Sequence, residues 1–412
     1  MDDDADVRAF LARADTPPSR VDLTTVITDG QRRVRRRWAV ASVGTTAAVL
    51  AGLVGVPAAI AAVRGTPSPD PAVVAGHDPS PSPVPSPVPS PVPSPVPSPS
   101  SAPLPSPSAT TGTCVAHPLQ LPPGVKHAKA LSVDPTGRYV VGQEDGKKSR
   151  GIMWTDGRPA ILPIDEYWVE VDAVNEHGVA TGIAEDNAGK VEYVFRYADG
   201  KVTKLTNVAG YTHVYPTPAI NAAGDIVVNA ESRGSVEGAD SIAMIWKAGT
   251  TVAERIPLKT TDNVMAITDD GTLVGAHYTD SHADGAAAWT PSGKETKLES
   301  PAGTKAAAYA ARGEWATGGL WPVDNQQATG APLWNLKTGA VTLLPGGVST
   351  AVSSSGLVIS ENSQLVRADG PAPQLPAPPS GGRNYATGLS DTGLVVGSVN
   401  DKSNSTAMTW TC

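Results

Sequence analysis

A single phrase recurs from about residue 130 to the last residue, and it restricts the fold more than any other feature. It consists of a small residue, an apolar residue, a polar turn ending in glycine, and an apolar run. Ala386-Thr387-Gly388-Leu389-Ser390-Asp391-Thr392-Gly393-Leu394-Val395-Val396-Gly397 is the fullest copy, with Trp410 following. Ala219-Ile220-Asn221-Ala222-Ala223-Gly224-Asp225-Ile226-Val227-Val228 and Ala266-Ile267-Thr268-Asp269-Asp270-Gly271-Thr272-Leu273-Val274-Gly275 repeat it. The turn glycines are Gly137, Gly178, Gly224, Gly271, Gly313, Gly356 and Gly393, spaced 41, 46, 47, 42, 43 and 37 residues apart. Seven copies at about forty residues match the length of a four-stranded propeller blade. Helical periodicity is absent, and the elements are short, β-branched and separated by Gly, Asp and Asn turns.

Each copy reads as four strands. The small and apolar phrase is strand one, as in Asp172-Ala173-Val174, and the run after the turn glycine is strand two. Strand three carries an aromatic: Met153-Trp154, Val194-Phe195, Ile245-Trp246, Ala288-Trp289, Leu333-Trp334 and Thr409-Trp410. Strand four ends each copy, as in Ile161-Leu162-Pro163 and Thr342-Leu343-Leu344-Pro345. Strand one is innermost, where small side chains fit round an axis, and the strand-three aromatics fill the widening gap between blades. The inner strands are expected to offer mostly Ala, Val, Ile, Ser and Thr. Copy six, Ala351 to Gln374, is short and has Leu365-Val366 where the others carry an aromatic. The predicted fold is all-β, a seven-bladed β-propeller of four-stranded blades over residues 114–412.

Copy seven stops after strand three, at Trp410-Thr411-Cys412. The missing strand lies at the start, where His117-Pro118-Leu119-Gln120-Leu121-Pro122 matches Pro159-Ala160-Ile161-Leu162-Pro163. The N-terminal strand is therefore predicted to complete the last blade, with a Cys114–Cys412 disulfide locking the ring. These are the chain's two cysteines. Such a bridge requires an oxidising compartment, and two unpaired thiols are the alternative.

The residues before Cys114 read as a membrane anchor and spacer. Residues 1–37 form a tail ending in Arg32, Arg33, Arg35, Arg36 and Arg37, the pattern that keeps a segment on the cytoplasmic side. Residues 38–63 contain no charge and reach the length of a transmembrane helix, placing the propeller outside. Ala59-Ile60-Ala61 offers a cleavage site, so secretion after signal removal is the competing reading. Residues 64–113 repeat Pro-Ser-Pro-Val and predict an extended polyproline stalk.

The phrase Ala-x-x-Ile-Asn-x-x-Gly-x-Val-Val, carried by Ala219 to Val228 with Trp246 and by Ala386 to Gly397 with Trp410, resembles the HAF-type extracellular repeat of bacterial propeller proteins. The resemblance covers residues 115–412, without the His-Ala-Phe triplet of that family. The arginine run, apolar span and stalk resemble a surface protein of a high-GC Gram-positive bacterium. The resemblance implies an extracellular propeller and supplies no catalytic residue.

The chemistry is sparse. A net charge of −8 and a pI near 5.4 argue against nucleic-acid binding. There is no P-loop, G-x-S-x-G, H-E-x-x-H or C-x-x-C, and no cofactor is expected. The densest polar group is His277-Tyr278-Thr279-Asp280-Ser281-His282-Ala283-Asp284, read as a loop between strands two and three. His277, Asp280 and His282, with His213 of the neighbouring copy, are candidate metal ligands, a solvated loop being the plain alternative. The long connections all join strands two and three: Glu144 to Arg150, Glu185 to Lys190, Glu231 to Asp240, His277 to Asp284, Leu320 to Thr329 and Val399 to Ser405. They predict one loop-rich face as the binding face. Trp168, Trp315 and Trp321 stand outside the repeating aromatic position and are candidate ligand contacts there. These features point to a cell-surface binding or scaffolding module with a protein or glycan ligand. The alternative is a propeller-type glycosidase or lyase, which needs paired carboxylates at the channel mouth.

Overall fold

A computed structural model describes residues 112–412, apart from 187–191, 233–234, 236–239, 280–281, 325–326, 379–380 and 402–403. The arginine run, the apolar span and nearly all of the Pro/Ser stretch lie outside the described residues, as does Asp280. No helix among the described residues is long and apolar enough to cross a membrane.

Among the described residues twenty-seven strands form seven sheets, one per copy of the phrase. Blades 1 to 5 cover residues 128–161, 168–204, 211–255, 262–297 and 304–344, each with four strands in chain order. The innermost strands are Ala128–Val133, Trp168–Val174, Tyr211–Ile220, Asp262–Ile267, Thr304–Arg312, Ser349–Val352 and Arg383–Leu389. Each touches the next, and the last touches the first, so the ring is closed. At the seam Thr387 donates its hydroxyl to the Ala130 carbonyl at 3.0 Å.

Blade 7 is completed as the sequence predicts. Val115–Pro118 pairs antiparallel with Asn404–Thr411 and forms the outer strand of that sheet. Cys114 and Cys412 are disulfide-bonded, with Cα atoms 4.3 Å apart. Comparison with blade 1 shows what the bridge replaces. There Trp154 faces Pro159 and Thr155 faces Arg158, with Asp156-Gly157 as the turn. In blade 7 Trp410 faces Ala116 and Thr411 faces Val115. The disulfide stands at the place of the two-residue turn. Asp156 and Gly157 have φ of 49° and 77°, as a tight hairpin of this kind demands. The bridge makes the same connection without that constraint.

Blade 6 departs from the prediction. It has three strands, Ser349–Val352, Val358–Ser360 and Gln364–Val366, and among the described residues no fourth strand joins its sheet. The following segment holds Pro371, Pro373, Pro376 and Pro378, which lack the N–H a ladder needs. Gln374 pairs instead with the segment entering blade 7. Its carbonyl accepts from Cys114 N–H at 2.9 Å and its N–H donates to Gly112 at 3.2 Å.

The blades pack through the strand-three aromatics. Trp154, Trp246, Trp289, Trp334, Trp410 and Phe195 are all fully buried. Trp246 of blade 3 lies against Ile183, Val194 and Leu205 of blade 2, and Trp154 of blade 1 against Val396 and Ala407 of blade 7. Three indoles also tie their blade to the one before. Trp154 donates to Gln120 at 2.6 Å, Trp246 to Thr206 at 2.9 Å and Trp334 to Glu299 at 2.6 Å. Thr206 and Glu299 follow the buried Leu205 and Leu298, and Gln120 follows the partly buried Leu119. The Trp289 N–H is buried and has no partner among the described residues. Trp246→Phe is accordingly expected to cost on the order of 1 kcal/mol by removing this bond, the Thr206 carbonyl keeping the Ala253 N–H as its other donor. Trp289→Phe should cost less, because no bond is lost there. Urea midpoints of the two variants measure the difference, and equal midpoints would refute the inter-blade bond.

The second glycine of the phrase also has a physical cause. Every inner strand carries a register irregularity, as between Ala130 and Ser132, Val171 and Ala173, or Val264 and Ala266. The bulge swings a carbonyl of the inner strand onto strand two. Gly142, Gly182, Gly275, Gly318 and Gly397 stand there, and a Cβ on any of them would collide with the carbonyl oxygen of Lys129, Glu170, Asn263, Ala307 or Tyr385. Blade 3 solves the position differently. Asn229 reaches across to blade 4, accepting from Val264 N–H at 2.8 Å and donating to its carbonyl at 2.8 Å.

Candidate functional site

The propeller has two unlike faces. One carries the short turns between strands one and two. In six blades the residue entering that turn is a buried Asp134, Asn175, Asn221, Thr268, Ser353 or Ser390. Its side chain satisfies the turn, as when Asn175 Oδ1 accepts from Val179 N–H at 3.0 Å and Ser390 Oγ from Leu394 N–H at 2.9 Å. Blade 5 differs: Arg312 pairs directly with Trp315, leaving Gly313-Glu314 as a two-residue turn.

The opposite face carries the strand-two to strand-three connections. Two of the expected loops there are hairpins instead. In blade 4 the strands Leu273–Thr279 and His282–Trp289 stay paired to Thr279 opposite His282. In blade 7 pairing continues to Asp401 opposite Asn404. Alternation of side chains along paired strands accommodates these polar residues without a loop.

Of the four candidate metal ligands Asp280 lies outside the described residues, and the other three each have a separate setting. His277 has both ring nitrogens engaged, Nδ1 2.7 Å from Asp262 Oδ1 and Nε2 3.0 Å from Glu295 Oε1. His213 lies on the inner strand of blade 3, its Nδ1 3.6 Å from Glu192 Oε1. His282 is exposed on the strand facing Thr279. Among the described residues no group of three or more His, Cys, Asp or Glu is placed to hold a metal.

The three tryptophans separate. Trp315 is at the turn end of blade 5, packed beside the Gly356 turn of blade 6. Trp168 opens the inner strand of blade 2 on the loop side, half-buried. Trp321 ends strand two of blade 5 on the loop side, also half-buried. Its benzo edge occupies the space that a side chain at Gly319 would need. Tyr309 meets Trp321 edge to face, with ring centroids 6.3 Å apart and planes at 77°.

From this corner a line of tyrosines runs back through blades 4 and 3. Tyr278 hydrogen-bonds Tyr309, and burial pushes its hydroxyl well above the ordinary range. Tyr215 approaches Asn263 Oδ1 at 3.4 Å, and Ser241 donates to the same oxygen at 3.1 Å. Burial raises the Tyr215 hydroxyl as well, with Glu231 and Asp240 adding to the effect. All three rings are half-buried. The hydroxyls of Tyr215 and Tyr278 therefore stay protonated across the biological pH range. Nearby, Asp240 is bonded by Ser232 and Ser235 hydroxyls, which hold its carboxyl below the usual carboxylate range. On blade 2, burial and the neighbouring Glu166 raise Tyr193 to about 12.

This rim offers flat aromatic surface, hydroxyl donors and carboxylate acceptors. The sequence singled out Trp321 but missed Tyr215, Tyr278 and Tyr309. It also missed Glu170 and Asp172, two residues apart on the inner strand of blade 2 and both half-buried. They stand among the Ala, Val, Ile, Ser and Thr that were expected to make up most of the inner strands.

No family model matches the sequence, and no curated protein does. Solved structures align with much of the chain at low identity. An oligogalacturonate lyase from Vibrio parahaemolyticus aligns over 74% of this chain and 98% of its own, with 8% identity and a TM-score of 0.49. An oligogalacturonate lyase in complex with manganese covers 73% of this chain and 98% of its own, at 9% identity and TM-score 0.46. TolB from Acinetobacter baumannii covers 69% of this chain and 63% of its own, at 12% identity and TM-score 0.37.

Proposed function

We propose that the protein is an extracellular binding module whose propeller takes a glycan on the loop-side rim of blades 3 to 5. The observation that carries this reading is the aromatic corner of Tyr309 and Trp321, continued by the hydroxyls of Tyr278 and Tyr215. Sugar rings present one apolar C–H face and an equatorial belt of hydroxyls. An aromatic surface beside neutral donors and carboxylates suits both. In this reading residues 38–63 anchor the chain in a membrane with the tail of residues 1–37 inside. The stalk of residues 64–113 presents the propeller outside, as in the HAF-type surface proteins the repeat resembles.

The test is a glycan array with the full-length chain in detergent, followed by titration of any hit. Trp321→Ala is expected to weaken binding at least about tenfold, as loss of an aromatic anchor does. Leu343→Ala, on the exposed outer strand of the same blade, should leave it unchanged. A protein ligand recovered in place of a glycan, with the same sensitivity at Trp321, would keep the site and change the ligand class. Binding indifferent to Trp321 and Tyr309 would remove this rim from consideration.

Glu170 and Asp172 favour a second reading, a carbohydrate-active enzyme. They are half-buried and two residues apart on an inner strand, Asp172 at its bulge, and paired carboxylates are what such chemistry uses. Turnover of a polysaccharide that is lost in Glu170→Gln and Asp172→Asn would put that reading first.

A further inference from the structure

Blade 6 passes from its second strand to its third through Glu361-Asn362-Ser363, with Ser360 paired opposite Gln364. Asn362 and Ser363 both have φ of 61°, a conformation uncommon outside glycine. Ser363 is pinned to blade 7: its Oγ donates to the Asn384 carbonyl at 2.9 Å and accepts from Ala386 N–H at 2.8 Å. Residues directly opposite in a ladder project from the same face, so Ser360 and Gln364 point the same way. Both reach Gly346, in the connection that leads into blade 6. A Cβ on Gly346 would lie 2.6 Å from Ser360 Oγ and 4.0 Å from Gln364 Oε1. A Cβ on Gly347 would collide with Glu361 Oε2. Two glycines thus keep clear the space that three oxygen-bearing side chains approach. Gly346 is exposed, so this space opens to solvent.

Two of the three side chains are left unsatisfied by the protein. Ser360 is 4% exposed, and its Oγ is buried with no hydrogen-bond partner among the described residues. Glu361 is half-buried and has no ion pair or hydrogen bond among them. A buried hydroxyl without a partner is costly, and so is a carboxylate drawn out of water without a counter-charge. A water molecule answers the hydroxyl and leaves the charge. A cation answers both.

We propose that the Gly346-Gly347 connection and the Glu361 hairpin form a calcium site. Carboxylate, hydroxyl and amide oxygens are the donors of a hard cation, and no nitrogen or sulfur ligand is present to favour zinc. One carboxylate, neutral oxygens and solvent filling a shell of about six to eight ligands make a weak site. Magnesium demands stricter octahedral geometry and gives up its water reluctantly, which favours calcium. The ion ties the chain entering blade 6 to the hairpin of the same blade, whose sheet has three strands where the others have four. The site lies apart from His277 and does not depend on the glycan reading.

The test uses the full-length chain, freed of metal with EDTA and dialysed, and calcium chloride as the probe. Calorimetry should show saturable binding with a Kd on the order of 10⁻⁴–10⁻³ M, and magnesium at least about tenfold weaker. Glu361→Gln keeps the shape and removes the charge. It should weaken calcium at least about tenfold, because the charge of the ligand set governs affinity. Ser360→Ala gives a second readout. Its hydroxyl has no partner to lose among the described residues, so the calcium-free thermal midpoint should hold. The rise in midpoint on adding calcium should shrink in that variant. The proposal fails if the natural protein shows no saturable calcium binding. It fails equally if Glu361→Gln, folded by circular dichroism, titrates like the natural protein. Magnesium binding as tightly as calcium would refute the ion assigned.

Discussion

Cys412→Ser is expected to lower the thermal midpoint of the propeller by about 10 °C, the largest single effect we predict. The bridged residues are 298 positions apart, and cross-linking a loop of that length removes much of the freedom of the unfolded chain. The chain-entropy treatment gives on the order of 5 kcal/mol for it. The folded side adds a local cost. Val115–Pro118 is four residues long and exposed throughout, so little buried surface holds it to Asn404–Thr411. Without the bridge that strand should fray first. Hydrogen exchange at residues 115–118 should then run far ahead of exchange in blades 2 to 5. Scans with and without reductant, compared with the serine variant, read both effects. A midpoint that moves by less than a couple of degrees would show that the pairing alone closes the ring.

Gly275→Ala is the second. In most strands an alanine is at least as good as a glycine. Here the added methyl would meet the Asn263 carbonyl oxygen, which belongs to the bulged backbone of the adjacent inner strand. Neither atom is on a flexible side chain, so the strain has to be relieved by moving one strand off the other. A loss of about 3 kcal/mol or more follows, at the upper end for an overpacked core. Gly285→Ala is the control. It lies on the next strand of the same blade, where the nearest atom to a new Cβ is His277 Cδ2 at 3.8 Å, an ordinary contact. Its denaturation midpoint should barely change. If Gly275→Ala is as mild as Gly285→Ala, the bulge does not explain the glycine.

The architecture was legible because one unit is repeated with its turn chemistry intact. Gly178, Gly224, Gly271 and Gly393 all have positive φ, and a residue that must adopt such a conformation is visible in a sequence. The pairing of Cys114 with Cys412 was legible for a related reason. Copy seven lacked one strand, and the N-terminal stretch supplied a match to it. Blade 6 was marked as irregular by its missing aromatic, but its three-stranded form followed from prolines whose effect depends on which edge they meet. The two-residue turn of blade 5 was hidden because Gly313 sits in the expected place in the repeat. Only the pairing of Arg312 with Trp315 shows that the turn before it is shorter.

The rim was harder to read for a geometric reason. Tyr215, Tyr278 and Tyr309 occupy different places in their copies: on an inner strand, on a second strand, and at a bulge. Their proximity is produced by the rotation from one blade to the next, and no spacing along the chain encodes it. Glu170 was overlooked because the strand begins at Trp168, before the Asp172-Ala173-Val174 phrase from which it was recognised, and Asp172 was read only as part of that phrase.

The position of the disulfide has a mechanical consequence. Tension arriving along the chain from its N-terminal side enters the described residues at Gly112 to Cys114, beside Gln374 and the disulfide. If the load passed straight into Val115–Pro118, an outward pull could unzip this edge strand one hydrogen-bonded pair at a time. The bridge offers a second route at the point of entry. Force crosses the sulfurs to Cys412 and enters Asn404–Thr411, a strand flanked on both sides within its sheet. The weakest strand of the ring is thereby shielded, and the tether is spliced into the interior of the blade.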